Sequence, residues 1–129
     1  MSDASVAENK RIAQAFWETA FRDARPAAAA ERFLGDTYVQ HNPQTPDGPE
    51  AFVGAIEGMH GAAPGFSGEV KRAIGEDDLV VLHSHVKMSA EDPGMAVVDI
   101  FRVVDGKVVE HWDVLQAIPA ESANANTMF

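Results

Sequence analysis

Asp99 lies in the run Val97-Val98-Asp99-Ile100-Phe101, where both neighbours on each side are apolar. An ionised carboxylate is costly in such surroundings, and a carboxyl group held there can take a proton from a carbon next to a carbonyl. The competing reading is structural: an aspartate on an outer face, or one paired with Arg102 or a histidine. Upstream, His83 and His85 are separated by one residue. On a strand that spacing sends both imidazoles to one side. There they can donate hydrogen bonds to a developing enolate oxygen, ligate a metal, or sit as part-buried histidines with satisfied rings. His85 is read as the catalytic partner of Asp99, with His83 binding substrate, and no functional metal is expected. Tyr38 and His41 stand where the chain leaves its helical region. They read as donors to a carbonyl at a pocket rim, or as a core tyrosine and a turn-capping histidine. Trp17, Met59, Phe101 and Trp112 complete the candidate set as pocket wall, whereas Phe16 and Phe52 read as ordinary core. His60, near a helix end, suits the helix dipole.

These side chains need elements to position them. Ser5 and Glu8 have capping-box spacing, and Ala13, Phe16, Trp17, Ala20 and Phe21 form a helical stripe, predicting a helix over 5–23. Pro26 and the alanines after it predict a second helix, closed by Gly35. A short extended piece, 37–40, follows. Asp47, Pro49 and Glu50 frame a third helix, which Pro64-Gly65 ends. From there the period becomes two, with strands over 69–74, 79–88, 95–104 and 107–118 separated by turn chemistry. Helices followed by a meander make an α+β fold, three helices packed on a curved, mainly antiparallel sheet.

Strand register then decides which residues meet. A turn centred on Asp92-Pro93 puts His85 across from Asp99 and His83 across from Phe101. A two-residue hairpin at Asp105-Gly106 pairs Val104 with Lys107 and sets Asp99 facing Trp112. One face then carries His83, His85, Val97, Asp99, Phe101, Glu110 and Trp112, the mixed lining of a ligand pocket. The opposite face carries Ser84, Val98, Ile100, Arg102, His111, Asp113 and Leu115. A glycine bulge at Gly106 would slip the last strand by one residue, bringing His111 and Asp113 inside in place of Trp112. Both registers stay open.

The chain has 129 residues, one domain's worth, with 119–129 expected to be an irregular tail. Its formal charge of −10 disfavours nucleic acid and anionic membranes as partners. With no cysteine, disulfides, thiol catalysis and zinc–cysteine sites are excluded. The polar, acidic N-terminus lacks signal-peptide character and no apolar run has membrane-spanning length, so a cytoplasmic location is expected. Val98, Ile100 and Leu115 on the outer face predict a homodimer through that face, with Met128-Phe129 reaching the partner.

The segments Tyr38-Val39-Gln40-His41-Asn42-Pro43, Val98-Asp99-Ile100-Phe101-Arg102 and Asp105-Gly106-Lys107-Val108-Val109-Glu110-His111-Trp112-Asp113-Val114-Leu115-Gln116, with the Met128-Phe129 terminus, resemble the SnoaL-like branch of the NTF2-like superfamily. The resemblance implies a cone-shaped α+β barrel with an internal pocket, dimerising through its outer sheet face. It also implies ring closure by intramolecular aldol condensation, with Asp99 as general base and His85 assisting. Two functions remain open. One is a cofactor-independent enzyme moving protons in an apolar carbonyl compound by aldol cyclisation, isomerisation or dehydration. The other is a non-catalytic module binding a small apolar ligand in the same pocket; a dimeric interaction protein is a weaker third.

Overall fold

In the computed structural model, which describes residues 2–129, helix α1 (Asp3–Trp17) is capped by Ser2, whose hydroxyl accepts from the Ser5 N–H. The cap thus falls three residues before the expected Ser5–Glu8 box, and Glu8 pairs with Arg11 instead. The apolar stripe buries Ile12, Ala13, Phe16 and Trp17. Beyond Trp17 the helix continues as a π turn, Glu18–Arg22. Such turns widen the backbone ring by one residue and rotate the side chains that follow. α2 (Pro26–Phe33) starts at its proline as expected but ends before Gly35, and β1 (Leu34–Gln40) begins at once. α3 (Pro49–Ala62) closes the helical layer. Then come β2 (Ser67–Glu76), β3 (Leu79–Lys87), β4 (Met95–Val104) and β5 (Lys107–Ala117).

The five strands form one sheet in the order β1-β5-β4-β3-β2, with β1 parallel to β5 and every other pair antiparallel. The sheet is curved and does not close, so the expected barrel is an open half-cone. Its concave face packs against the helices around Phe16, whose ring lies 5.1 Å from that of Phe52 and 5.7 Å from that of Phe101.

Two registers differ from expectation. Between β3 and β4, His85 pairs with Ala96, and Leu82 rather than His85 pairs with Asp99. The cause is the 88–94 connection, which closes earlier than Asp92-Pro93. Both Asp92 carboxylate oxygens accept backbone hydrogen bonds at 2.9 Å, from Met88 and Gly94, and these bonds hold the carboxyl below its ordinary pKa. Gly94 takes a positive φ of 90° to enter β4. The three-residue offset is odd, so it turns His83 and His85 to the convex face. Between β4 and β5 the hairpin does pair Val104 with Lys107, and Val103 with Val108. A bulge then intervenes at Val109, and from Arg102↔Glu110 onward Asp99 faces Asp113 and Phe101 faces His111. The slip weighed for Gly106 therefore occurs three residues later and has the same effect. His111, Asp113 and Leu115 turn to the concave face; Glu110, Trp112 and Val114 turn outward.

On the convex face, residues 118–129 fold back over the chain's own strands. The Phe129 ring lies 4.6 Å from His85 and 5.4 Å from His83, with the Lys71 ammonium 5.6 Å above it. Among the described residues no helix is long and apolar enough to cross a membrane.

Candidate functional site

Asp99 enters the concave face from the middle of β4 and is buried. Three elements supply its partners. From the last turn of α1, the Trp17 indole N–H donates to Asp99 Oδ2 at 3.1 Å. From β5, His111 Nε2 lies 2.8 Å from Asp99 Oδ1. Below them β1 contributes alternate residues: Tyr38 stacks on His111 with ring centroids 6.3 Å apart, and Gln40 Oε1 lies 2.7 Å from His111 Nδ1. Just past β1, Asn42 Nδ2 donates to both carboxylate oxygens of Asp113 at 3.0 Å.

The hydrogen-bond inventory fixes where the protons are. Gln40 Oε1 accepts the Asn42 backbone N–H at 3.0 Å, so that atom is an acceptor. The facing His111 Nδ1 must therefore carry a hydrogen. In a neutral imidazole Nε2 would then bear a lone pair, which cannot bond to an ionised carboxylate. The short Asp99–His111 contact consequently holds one proton, as imidazolium with carboxylate or imidazole with carboxylic acid. Asp113, 3.9 Å from His111 Nε2, is the second carboxylate of the cluster and receives its hydrogen bonds from Asn42. Burial, and then the Asp99 charge, push the Tyr38 phenol well above its ordinary pKa, so it remains a neutral donor.

Two adjoining cavities open onto this cluster, and both are lined by Asp99, Asp113, Phe21, Met59 and Leu115. One, of about 170 Å³, continues past Tyr38, Phe52, Ile56 and Phe101. The other, of about 90 Å³, continues past Trp17, Phe66, Val86 and Val97. The π turn matters here, because Phe21 projects from it into both. A larger surface hollow, about 790 Å³, lies elsewhere, an open groove beside Glu31, Asp36 and Asp47 with no matching constellation of chemical groups. Asp99, His111 and Asp113 could also present one atom each to a metal ion, within 4.8 Å of one another. Their donors argue against that use: Trp17 and Asn42 already direct N–H groups at the carboxylates, and His111 Nε2 is engaged by Asp99.

The structure thus brings together Asp99, Trp17, Tyr38, Met59 and Phe101 of the sequence-predicted set. It separates the others. His83 and His85 lie on the convex face, where Arg72 donates to His83 Nδ1 and His85 Nε2 donates to the Pro93 carbonyl at 2.8 Å. Trp112 is convex too, stacked on His41 at 4.7 Å. His41 in turn bonds Glu110 at 2.7 Å; that bond first, and then Arg102, hold the Glu110 carboxyl below its ordinary pKa. His60 bonds the Ala20 carbonyl, which the π turn leaves free for it, at 3.1 Å. The residues that sequence reasoning passed over are Gln40, Asn42 and Phe21. Gln40 had a signal: it shares strand parity with Tyr38, whereas His41 does not.

The folded chain is similar to several solved structures. A candidate polyketide cyclase from Bacillus cereus ATCC 10987 superposes with a TM-score of 0.75 at 19% identity, over 89% of this chain and 78% of that one. A candidate ketosteroid isomerase from Kribbella flavida DSM 17836 gives 0.72 at 15% identity, over 92% and 85%. AclR, a candidate hydroxylase from Streptomyces galilaeus, gives 0.67 at 26% identity, over 86% and 90%. No curated protein sequence matches the chain. The SnoaL-like domain family matches residues 13–111, a span that takes in Trp17, Tyr38, Gln40, Asn42, Asp99 and His111, and the chain belongs to that family.

Proposed function

We propose that the chain is a cofactor-independent enzyme that moves a proton at a carbon next to a carbonyl in a small apolar substrate. The observation that carries the reading is the buried Asp99–His111 pair at the meeting point of two apolar cavities. Asp99 takes the proton from the carbon, and the C–H electron pair passes through the new C=C bond onto the carbonyl oxygen. Tyr38, a neutral donor lining the larger cavity, supplies a hydrogen bond to that oxygen. The enolate then regains a proton at another carbon, as in isomerisation, or attacks a second carbonyl of the same molecule, as in aldol cyclisation. Either route balances with no external electron carrier. His111, oriented by Gln40, replaces the sequence-expected His85 as the partner that keeps Asp99 aligned and charge-compensated. The resemblance to a polyketide cyclase and a ketosteroid isomerase supports proton chemistry at this site.

Deuterium exchange at the α-carbons of a panel of small ketones, followed by NMR, tests the reading. General base catalysis of this kind is worth about 10²–10⁴-fold. Asp99→Asn should lose exchange on that order while still binding the same ketones. Equal catalysed exchange by wild type and Asp99→Asn would remove Asp99 as the base, and exchange of the whole panel at the buffer rate by the wild type would make the chain a binding module instead.

We further propose a homodimer through the convex sheet face, now drawn with corrected residues. Leu115 leaves that face, while Ile74, Val81, Ile100 and Trp112 form an apolar row crossing four strands. Both charge signs border the row, Lys71 with Glu69 and Arg102 with Asp78 and Glu110. Such a rim is self-complementary under two-fold symmetry.

A further inference from the structure

We propose that the ligand of this site is a neutral ketone made of one six-membered ring and an arm of about three or four non-hydrogen atoms, with its carbonyl where ring and arm join and its α-carbon one bond beyond. The inference rests on the reading of Asp99 as the reacting group and deepens it. The two cavities differ in size and share five lining residues, Phe21, Met59, Leu115, Asp99 and Asp113. An apolar protein cavity of about 150 Å³ accommodates benzene. The larger cavity, about 170 Å³, therefore matches the size of one ring. The smaller, about 90 Å³, cannot take a ring. At roughly 30 Å³ for a water-sized group it holds about three such groups. A molecule spanning both passes these shared residues, which places its ring–arm junction beside Asp99 and Asp113. Among the described residues lining either cavity, the only charged or titratable groups are Asp99, Asp113, His111 and Tyr38, with no lysine or arginine. An anionic arm would meet two carboxylates with no counter-charge beyond the proton that Asp99 and His111 share. A neutral ligand meets no such penalty.

The test is a binding series measured by calorimetry or ligand-observed NMR, with the full chain as wild type and as Asp99→Asn, so that affinity is read without turnover. The probes are acetophenone, propiophenone and hexanophenone for arm length, 2-acetylnaphthalene and 2-acetylanthracene for ring count, and benzoylformate for charge. Affinity should peak at acetophenone or propiophenone and fall at least tenfold for hexanophenone, for both fused-ring ketones and for benzoylformate. Val86→Ile, which fills part of the smaller cavity only, should move the optimum arm towards acetophenone. Ala55→Phe, at an exposed helix position lining the larger cavity only, should weaken every ring-bearing probe. Binding of 2-acetylanthracene or hexanophenone as tight as that of acetophenone overturns the size assignment, and equal binding of benzoylformate and propiophenone overturns neutrality. The predicted series without α-carbon exchange would leave this inference standing and remove the enzymatic reading; exchange without the series would do the reverse.

Discussion

Gln40 orients the imidazole that compensates Asp99 without touching the carboxylate itself. Replacing it with leucine removes the acceptor that holds the hydrogen on His111 Nδ1, leaving that group buried and unsatisfied at a cost of about 1–3 kcal/mol. The ring can then adopt the other tautomer, so Gln40→Leu should lower α-carbon exchange about tenfold and displace its pH profile. Gln40→Glu retains an acceptor for both the Asn42 N–H and His111 Nδ1, and should recover more of the rate than leucine does. Equal rates for the two variants would show that tautomer control is not what Gln40 supplies. Trp17→Phe keeps an aromatic ring in the core and deletes the N–H aimed at Asp99 Oδ2. It should cost about 1 kcal/mol in urea unfolding and reduce exchange more than its loss of stability explains.

The elements holding these residues impose their own demands. Trp17 reaches Asp99 only because β2 offers no side chain at Gly68, where a Cβ would stand 2.7 Å from the indole Cη2. Gly68→Ala should therefore push the indole away from Asp99 and lower activity, although position 68 lines neither cavity; an unchanged rate would mean the indole yields without losing its hydrogen bond. On the convex side, Glu110 bonds His41 and Arg102 and has a lowered carboxyl pKa. A lowered carboxyl stabilises the fold above its unfolded value near 4.3 and loses that contribution as pH falls through the folded value. Glu110→Gln should thus cost up to about 1 kcal/mol at pH 7 and progressively less as the pH falls through the folded value of Glu110, a difference visible in paired denaturation curves. The same elements show what the sequence could carry. The helices were legible from Pro26, Pro49 and the Phe16–Trp17 stripe, and the concave placement of Asp99, Val97 and Phe101 from simple alternation. Register was not. It depended on Asp92 tying back to Met88 and Gly94 and on one surplus residue at Val109, and neither leaves a periodic trace. An odd error on each side of β4 therefore assigned the histidine beside Asp99 to β3 instead of β5.

For the whole molecule, the convex face is the proposed dimer surface. Light scattering should give twice the chain mass, and Ile74→Glu, at a position 57% exposed in the single chain, should give the monomer without unfolding it. A monomeric mass for the wild type at working concentration would remove the dimer. The Val109 bulge has a consequence for how a chain of this kind can diverge. In β5, side chains alternate between an interior that lines the candidate site and an exterior that does not, so whether Val109 is bulged or paired acts as a stored bit. Pairing Val109 instead of bulging it would exchange His111 and Asp113 for Trp112 and Val114 in a single step with composition unchanged, whereas deleting it would keep Phe101 facing His111. One residue added within 119–127 would only lengthen a tail. The identity of the site thus turns on whether one residue is bulged or paired, which makes a bulge between Val108 and Glu110 a sharper marker of shared chemistry among relatives than overall identity.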